Sequence, residues 1–280
     1  MVKFTILTND NVRKRGLLAE HGLSILIETG KEQVLLDTGQ SDVFLHNAKY
    51  LGISVEEIDY LMLSHGHYDH VDGLLNFCSK NKKAKIYANQ SIFLSKQKQT
   101  KKDGKIEYSN AGVSWNKNKI NDFIDRFVFS DKYLEINDRV YISGEIPMIV
   151  DFEEEPKDFT IEHESGYEKD LMADEQMLII NEEKGIHIFL GCGHRGVANS
   201  IVYAKNLFPD KKIISLVGGM HLENISQERL KKTIDFLLDV HIDNLVPLHC
   251  TGFETTSEIK RIFGDKCKIC STGDVIELSQ

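Results

Sequence analysis

The sequence predicts an α/β fold, a four-layer αββα sandwich of two facing, mixed β-sheets with helices on the outside. Three observations predict it. Short runs of apolar and β-branched residues come early in each half and pair as hairpins, helical and extended patterns alternate after them, and no linker rich in Pro, Gly or Ser divides the chain. A single domain of 280 residues buries a sizeable core.

The elements follow in order. Val2–Thr8 reads as a strand, and 23–28 and 33–37 read as a hairpin turning through Thr29-Gly30-Lys31. Helical spacing over 43–51, with Ser41 or Asp42 as N-cap, leads to a short apolar run at 58–63 suited to a buried strand. A helix is expected over 73–80 and a strand over 84–88. The polar stretch beyond carries little core pattern and is expected to be an insertion or lid over about 96–135 of the single domain 1–280. In the second half, 176–181 and 186–190 form another hairpin through Glu183-Lys184-Gly185. Helices at 197–207, 227–240 and 257–263 then alternate with strands at 213–217, 244–248, 268–270 and 275–278.

Composition excludes several classes. With 41% hydrophobic and 28% charged residues the chain is neither disordered nor fibrous. No apolar run approaches the roughly 20 residues that span a bilayer, and residues 1–10 lack the pattern of a secretion signal, so a cytoplasmic protein without membrane association is expected. Five cysteines, odd in number and scattered, read as reduced thiols. Net charge is -9, yet residues 80–119 are crowded with lysine and hold only Asp103 and Glu107 as acids, so any attraction for anions is local.

The chemistry concentrates in His65-Gly66-His67-Tyr68-Asp69-His70, directly after the expected strand at 58–63. Imidazole and carboxylate suit zinc, iron and manganese, and four such ligands within six residues at a strand-to-loop junction converge on one pocket. One loop does not enclose two ions, so distant partners are needed. Candidates are His194 in Gly191-Cys192-Gly193-His194 and His249 in Pro247-Leu248-His249-Cys250-Thr251-Gly252, both at strand ends, where open sheets gather their sites. The competing reading is an accidental cluster among 11 histidines, and the tight spacing outweighs it.

These residues resemble the metallo-β-lactamase superfamily: Asp37-Thr38-Gly39 after a strand, His-x-His-x-Asp-His, Gly-x-Gly-His after a hairpin, and a late strand ending in His. More narrowly, Ala19-Glu20-His21-Gly22-Leu23-Ser24, Gly191-Cys192-Gly193-His194, Gly218-Gly219-Met220-His221-Leu222 and Leu248-His249-Cys250-Thr251-Gly252 resemble its branch of dihydropteroate-synthase-like enzymes. The archaeal enzyme of that branch joins a dihydropterin diphosphate to a ribofuranosyl-aminobenzene phosphate. The resemblance implies two divalent ions, zinc first with iron or manganese as alternatives, one on His65, His67 and His194 and the other on Asp69, His70 and His249. It makes Asp37 a residue that orients a ligand. Many superfamily hydrolases carry an Asp bridging the ions where this chain has Gly191-Cys192, so either Cys192 replaces the bridge or no protein bridge exists.

Other residues carry weaker expectations. Asp69 and His221 are the candidate catalytic residues, and His21 and His221 the candidate substrate contacts, against the plain reading of both histidines as hydrogen-bonded residues at strand ends. Cys267 and Cys270 lack a second pair and read as structural thiols. Lys96, Lys98, Lys101, Lys102 and Lys105 read first as a solvated segment and second as a lid drawing in phosphates, and Glu153, Glu154 and Glu155 as solvated.

The function expected is a hydrolase-type enzyme with a dinuclear site, attacking a small anionic, phosphorylated or pterin-like substrate through metal-bound hydroxide. A pterin transferase is one alternative and a nuclease or phosphodiesterase another. Nucleic acid is disfavoured by the acidic net charge, and a homo-oligomer is left open.

Overall fold

The computed structural model describes residues 1–278. The first half runs through β1 (Val2–Thr8), β2 (Ser24–Glu28), β3 (Gln33–Leu36), α1 (Val43–Tyr50), β4 (Tyr60–Met62), the short α2 (Tyr68–Val71), α3 (Leu74–Lys80) and β5 (Lys85–Ala88). Next come a hairpin of β6 (Lys96–Lys102) and β7 (Lys105–Asn110), a stretch of 3-10 turns, β8 (Phe127–Phe129), β9 (Leu134–Glu135) and β10 (Val140–Ile142). A second hairpin, β11 (Phe159–His163) with β12 (Gly166–Lys169), precedes β13 (Leu178–Glu182), β14 (Gly185–Leu190), α4 (Val197–Leu207), β15 (Ile213–Gly219), α5 (Gln227–Val240), β16 (Asn244–Leu248), α6 (Phe253–Phe263) and β17 (Val275–Leu278).

Two mixed sheets face each other, as the sequence predicts. The first has the order β17-β1-β2-β3-β4-β5-β8 and the second β16-β15-β14-β13-β10-β9. Side-chain alternation explains the layering, because successive residues of a strand point to opposite faces. Val2, Phe4 and Ile6 of β1, Ile25 and Ile27 of β2, and Val34 and Leu36 of β3 meet Leu178, Ile180, Phe189, Val217 and Val246 of the second sheet in one shared core. The intervening Leu26 and Leu35 point outward against Phe44, Ala48, Leu74 and Phe77 of α1 and α3. On the other side Ile186, Ile188 and Leu216 point outward against Val197 and Ile201 of α4 and Leu230, Ile234 and Leu237 of α5. α5 starts at Ser226, whose hydroxyl accepts from Arg229 N at 3.2 Å, and ends at His241 in the left-handed region.

Strand direction decides where the chemistry gathers. β3 and β4 are parallel, β1 runs the same way because two antiparallel steps separate it from β3, and β14, β15 and β16 are mutually parallel. Their C-terminal ends release Asp10, Asp37, His65, Cys192, His221 and His249. The fold thus collects six chemically active residues from six strand ends.

The sequence reading needs three corrections. Residues 268–270 form no strand: one parallel bridge joins Leu245 and Cys267, and the Ser271 to Asp274 turn that follows leaves too short a run for a ladder. Cys267 and Cys270 do face opposite sides, into the outer and the shared core respectively. The lysine-rich stretch is not uniformly solvated, since Lys96 is 1% exposed. Glu153 is also buried, held by Arg229 at 2.7 Å and by the Ala198 amide of α4 at 3.0 Å, because its loop turns back across two helix starts. The hairpins β6–β7 and β11–β12 form a separate four-stranded antiparallel sheet over one side of the strand ends.

Phe189 is fully buried between the sheets with its ring 5.8 Å from Phe4 in an edge-on contact. Phe189→Ala is expected to lower unfolding free energy by about 3–5 kcal/mol, read as a lowered midpoint in urea. An unchanged midpoint would contradict the shared core.

Candidate metal centre

The motif loop is held by backbone amides before any side chain is considered. Asp37 leaves β3 at a φ of 57°, fully buried, and its Oδ1 accepts from Ser64 N at 2.7 Å while Oδ2 accepts from Ser64 Oγ at 2.6 Å. Gly66 N donates to Asp174 at 2.8 Å and Tyr68 N to the Ala111 carbonyl at 3.0 Å. Gly22 lies so close to the Asp69 carbonyl that a Cβ would collide with it, and its φ of 141° suits only glycine. His194 N and Arg195 N donate to the two oxygens of Glu175 at 2.8 and 2.6 Å, and His249 N donates to Asn9 at 2.9 Å.

Two groups of side chains converge. The ligand atoms of His65, His67 and His194 lie within 4.8 Å of one another, as do those of Asp69, His70 and His249. All six residues are buried. His67 Nδ1 is 3.1 Å from His194 Nε2; on the other side His249 Nε2 is 3.1 Å from Asp69 Oδ2 and 3.3 Å from His70 Nε2.

The outward nitrogens explain which ring atoms face in. His70 Nδ1 donates to Asp37 Oδ2 at 2.6 Å, His249 Nδ1 to Asp10 at 2.7 Å, and His65 Nδ1 to Ser64 Oγ at 2.9 Å. Each partner fixes a hydrogen on Nδ1 and turns Nε2 inward. His65 Nε2 is buried and finds no hydrogen-bond partner among the described residues. A buried acceptor left unpaired costs free energy that a cation removes. Burial, reinforced by nearby charge, lowers the pKa of His65, His67 and His194, that of His67 to about 3, so all three are neutral near pH 7. Against burial, His70 and His249 hold the Asp69 carboxyl well below its usual range. His249 is raised, against burial, by Asp10 and Asp69, so a cation taking its Nε2 displaces a proton. With the His249 proton displaced, imidazole nitrogens and one ionised carboxylate form a donor set that fits divalent zinc, iron or manganese.

Sulfur lies beside this set. Cys192 is buried with Sγ 3.1 Å from His70 Nε2, in reach of both triads, and Cys250 donates from Sγ to the Cys192 carbonyl at 3.2 Å. Burial and the neighbouring Cys250 raise the Cys192 thiol, whereas Cys250, against burial, is lowered by Cys192, His221 and His249.

The centre forms the floor of a cleft of about 760 Å³. His221 lies in it with its ring 4.3 Å from that of His194, and His21 sits at its edge, 3.4 Å from Asp69 and 3.3 Å from Asp10. Of the five singled-out lysines only Lys98 lines the cleft. It already faces Asp158 at 3.8 Å, and Arg229 and Lys232 in the opposite wall face Glu153 and Glu228 at 2.7 and 2.8 Å. A general lysine lid drawing in anions is therefore not what the structure forms.

Sequence reasoning missed Asp10, Asp174 and Glu175. Asp10 carried a signal, an acid shortly after a strand as in Asp37; Glu175 acts on backbone amides, and Asp174 on one amide and on Lys96, all more than 15 positions away, and neither leaves a signal.

Fold and site together define a metallo-β-lactamase-type α/β sandwich. The metallo-beta-lactamase superfamily model matches residues 18–205, most of the chain, and the protein belongs to that superfamily and is an enzyme of it. Two curated relatives from Methanocaldococcus jannaschii are each 29% identical over 270 residues. One, the uncharacterized protein MJ0448, aligns over 94% of both chains. The other, named 7,8-dihydropterin-6-methyl-4-(beta-D-ribofuranosyl)-aminobenzene-5'-phosphate synthase, aligns over 92% of this chain and 90% of its own. The crystal structure of Tm1679, described as a metal-dependent hydrolase of the beta-lactamase superfamily, superposes over 100% of both chains with a TM-score of 0.84 at 29% identity.

The thiols separate by environment. Burial raises Cys78 and Cys267 to about 11 and Cys270 to about 12, while Cys250 is held toward the thiolate and lines the cleft. Iodoacetamide at neutral pH is expected to modify Cys250 first and to spare those three until urea unfolds the chain. Mass spectrometry of digests reads the order, and equal labelling of all four would refute it.

Proposed function

We propose that this chain binds two divalent ions and acts as a hydrolase on a small anionic substrate, phosphorylated or pterin-like. The observation that carries the reading is the pair of adjacent triads at the floor of one cleft, with Nε2 of His65, His70 and His249 turned inward by outer partners. One ion belongs to His65, His67 and His194 and the other to Asp69, His70 and His249. Bound ions supply Lewis acidity and make water nucleophilic near neutral pH. Zinc is the first choice, with iron or manganese admitted by the nitrogen and oxygen donors.

The chain's own residues supply orientation. Asp37 and Asp10 hold His70 and His249 with Nε2 inward, His221 and His21 flank the floor where substrate enters, and Phe159, 4.6 Å from His67, limits access of water on one side. The basic side chains of the walls are already paired with acids, so the attraction for a substrate anion is assigned to the floor. That argues for a phosphate or carboxylate group directed inward. Nothing in the walls suggests a track for a polynucleotide backbone.

A transferase reading has one specific support. The relative named as an aminobenzene-phosphate synthase aligns over nine-tenths of its length. In that reaction the same floor would hold and neutralise a leaving diphosphate. Incubation with phosphate esters and diphosphates alone, and then with a dihydropterin diphosphate plus an aminobenzene ribofuranosyl phosphate, separates the readings: release of phosphate without the second substrate supports hydrolysis, and a condensed product supports transfer.

Elemental analysis is expected to find close to two ions per chain, and His67→Ala to lower that content; full content in the variant would sink the assignment. His194→Ala is expected to abolish turnover and loosen one ion by about 10- to 100-fold or more, while Cys192→Ser mainly changes rate. In the cobalt-substituted protein, an intense sulfur-to-metal charge-transfer band that vanishes in Cys192→Ser would instead make Cys192 a ligand.

A further inference from the structure

We propose that Lys96 is a positioning residue for the half of the centre formed by His65, His67 and His194, acting through Asp174; the inference rests on the two-ion reading above. Lys96 opens β6 in a lysine-rich stretch, yet it is 1% exposed. Its Nζ donates to Asp170 Oδ2 at 2.7 Å and to Asp174 Oδ1 at 2.8 Å. An ammonium leaves water at a large cost, offset here by two carboxylates and two charge-assisted hydrogen bonds.

The two carboxylates have different second duties. Asp170 turns its other oxygen to Met172 N at 2.8 Å, inside its own loop. Asp174 turns its other oxygen to Gly66 N at 2.8 Å, the amide between His65 and His67. Gly66 has no room to retreat, because the backbone of Ile92 stands where its Cβ would be. The peptide joining two candidate ligands is thus clamped between Ile92 and Asp174, and Lys96 sets how Asp174 points.

The four-stranded sheet meets the same loop twice more. The Lys96 carbonyl accepts from Ala111 N at 2.9 Å and the Ala111 carbonyl from Tyr68 N at 3.0 Å. β11, paired with β6, places Phe159 with its ring 4.6 Å from that of His67 and 5.7 Å from that of His194. By contrast, the outer partners of His70 and His249 are Asp37 and Asp10, which leave β3 and β1 of the first large sheet. Asp37 also steadies His65 through Ser64, but Gly66 and His67 meet Asp174 and the small sheet, so disturbing Lys96 loosens the half of His65, His67 and His194 first.

Cobalt(II) titration followed by visible absorption tests this, with urea unfolding as the check on folding. Asp174→Asn is expected to weaken one of the two cobalt-binding steps by about 10- to 100-fold and to leave the other unchanged. Asp170→Asn, which removes an equally buried carboxylate from the same lysine but touches no motif amide, is expected to leave both steps unchanged. Lys96→Met, which keeps Asp174, carries the same expectation as Asp174→Asn and serves if that variant does not fold. Equal weakening in Asp174→Asn and Asp170→Asn, or none in Asp174→Asn and Lys96→Met, overturns the positioning role. A wild-type chain that takes up no cobalt overturns the two-ion reading itself.

Discussion

The carboxylate of Asp37 joins the fold to the chemistry. It sits at the end of β3, wholly buried, and accepts three hydrogen bonds: two from Ser64 at the end of the neighbouring β4 and one from His70 at the end of the motif. Five residues of loop lie between its partners, so one anchored carboxylate sets where the loop leaves the sheet and where it returns. Removing it would leave the Ser64 amide and hydroxyl and the His70 Nδ1 without their acceptor in a dry interior, a loss far larger than that of a surface hydrogen bond. Gly191 packs against the same cluster, with no room for a side chain beside Ser64 and Asp37. The second sheet is thereby brought against the first at the level of the candidate ligands.

The pattern around Asp37 is repeated with different residues. Asp10 does for His249 what Asp37 does for His70, and Ser64 does it for His65 by passing its own hydrogen to Asp37 and accepting one from the imidazole. Each hydrogen bond places a hydrogen on Nδ1 and fixes the ring plane, so Nε2 is aimed inward before any cation arrives. This preorganisation accounts for the buried, unpartnered His65 Nε2, which a merely structural core would not retain. It also limits the weight of Cys192. The thiol lies in reach of both triads but is raised by burial and by Cys250, so it competes poorly with neutral imidazoles unless a cation draws off its proton.

Charge around the cleft is local rather than global. A chain of net charge -9 pairs nearly every wall lysine and arginine with an acid, and no helix among the described residues is long and apolar enough to cross a membrane. Recognition of an anion by such a surface depends on its floor. The small sheet of β6, β7, β11 and β12 contributes Lys98, Ser109, Asn110 and Phe159 to one wall, so the cleft takes its shape from segments that contribute little to either main core.

The sequence by itself determined most strands and helices of the two main layers, though not β8, β9 and β10, because period-two and period-3.6 apolar spacing is local: β1, α4, α5 and β16 end where their patterns end. It also determined the motif of residues 65–70, whose groups lie within a few residues of one another. Only the tertiary structure decided the rest. β11 and β12 carry no alternating pattern, since β12 is exposed on both faces, and their pairing with the lysine-rich hairpin depends on partners some 60 positions away. Lys96 reads as a surface charge until Asp170 and Asp174 fold onto it, and Asp10 gains its role only when the fold brings it to His249, 239 positions away. Pairing between groups far apart in the chain has no period to betray it, because the cost of burying a charge is offset by whichever partner the fold delivers.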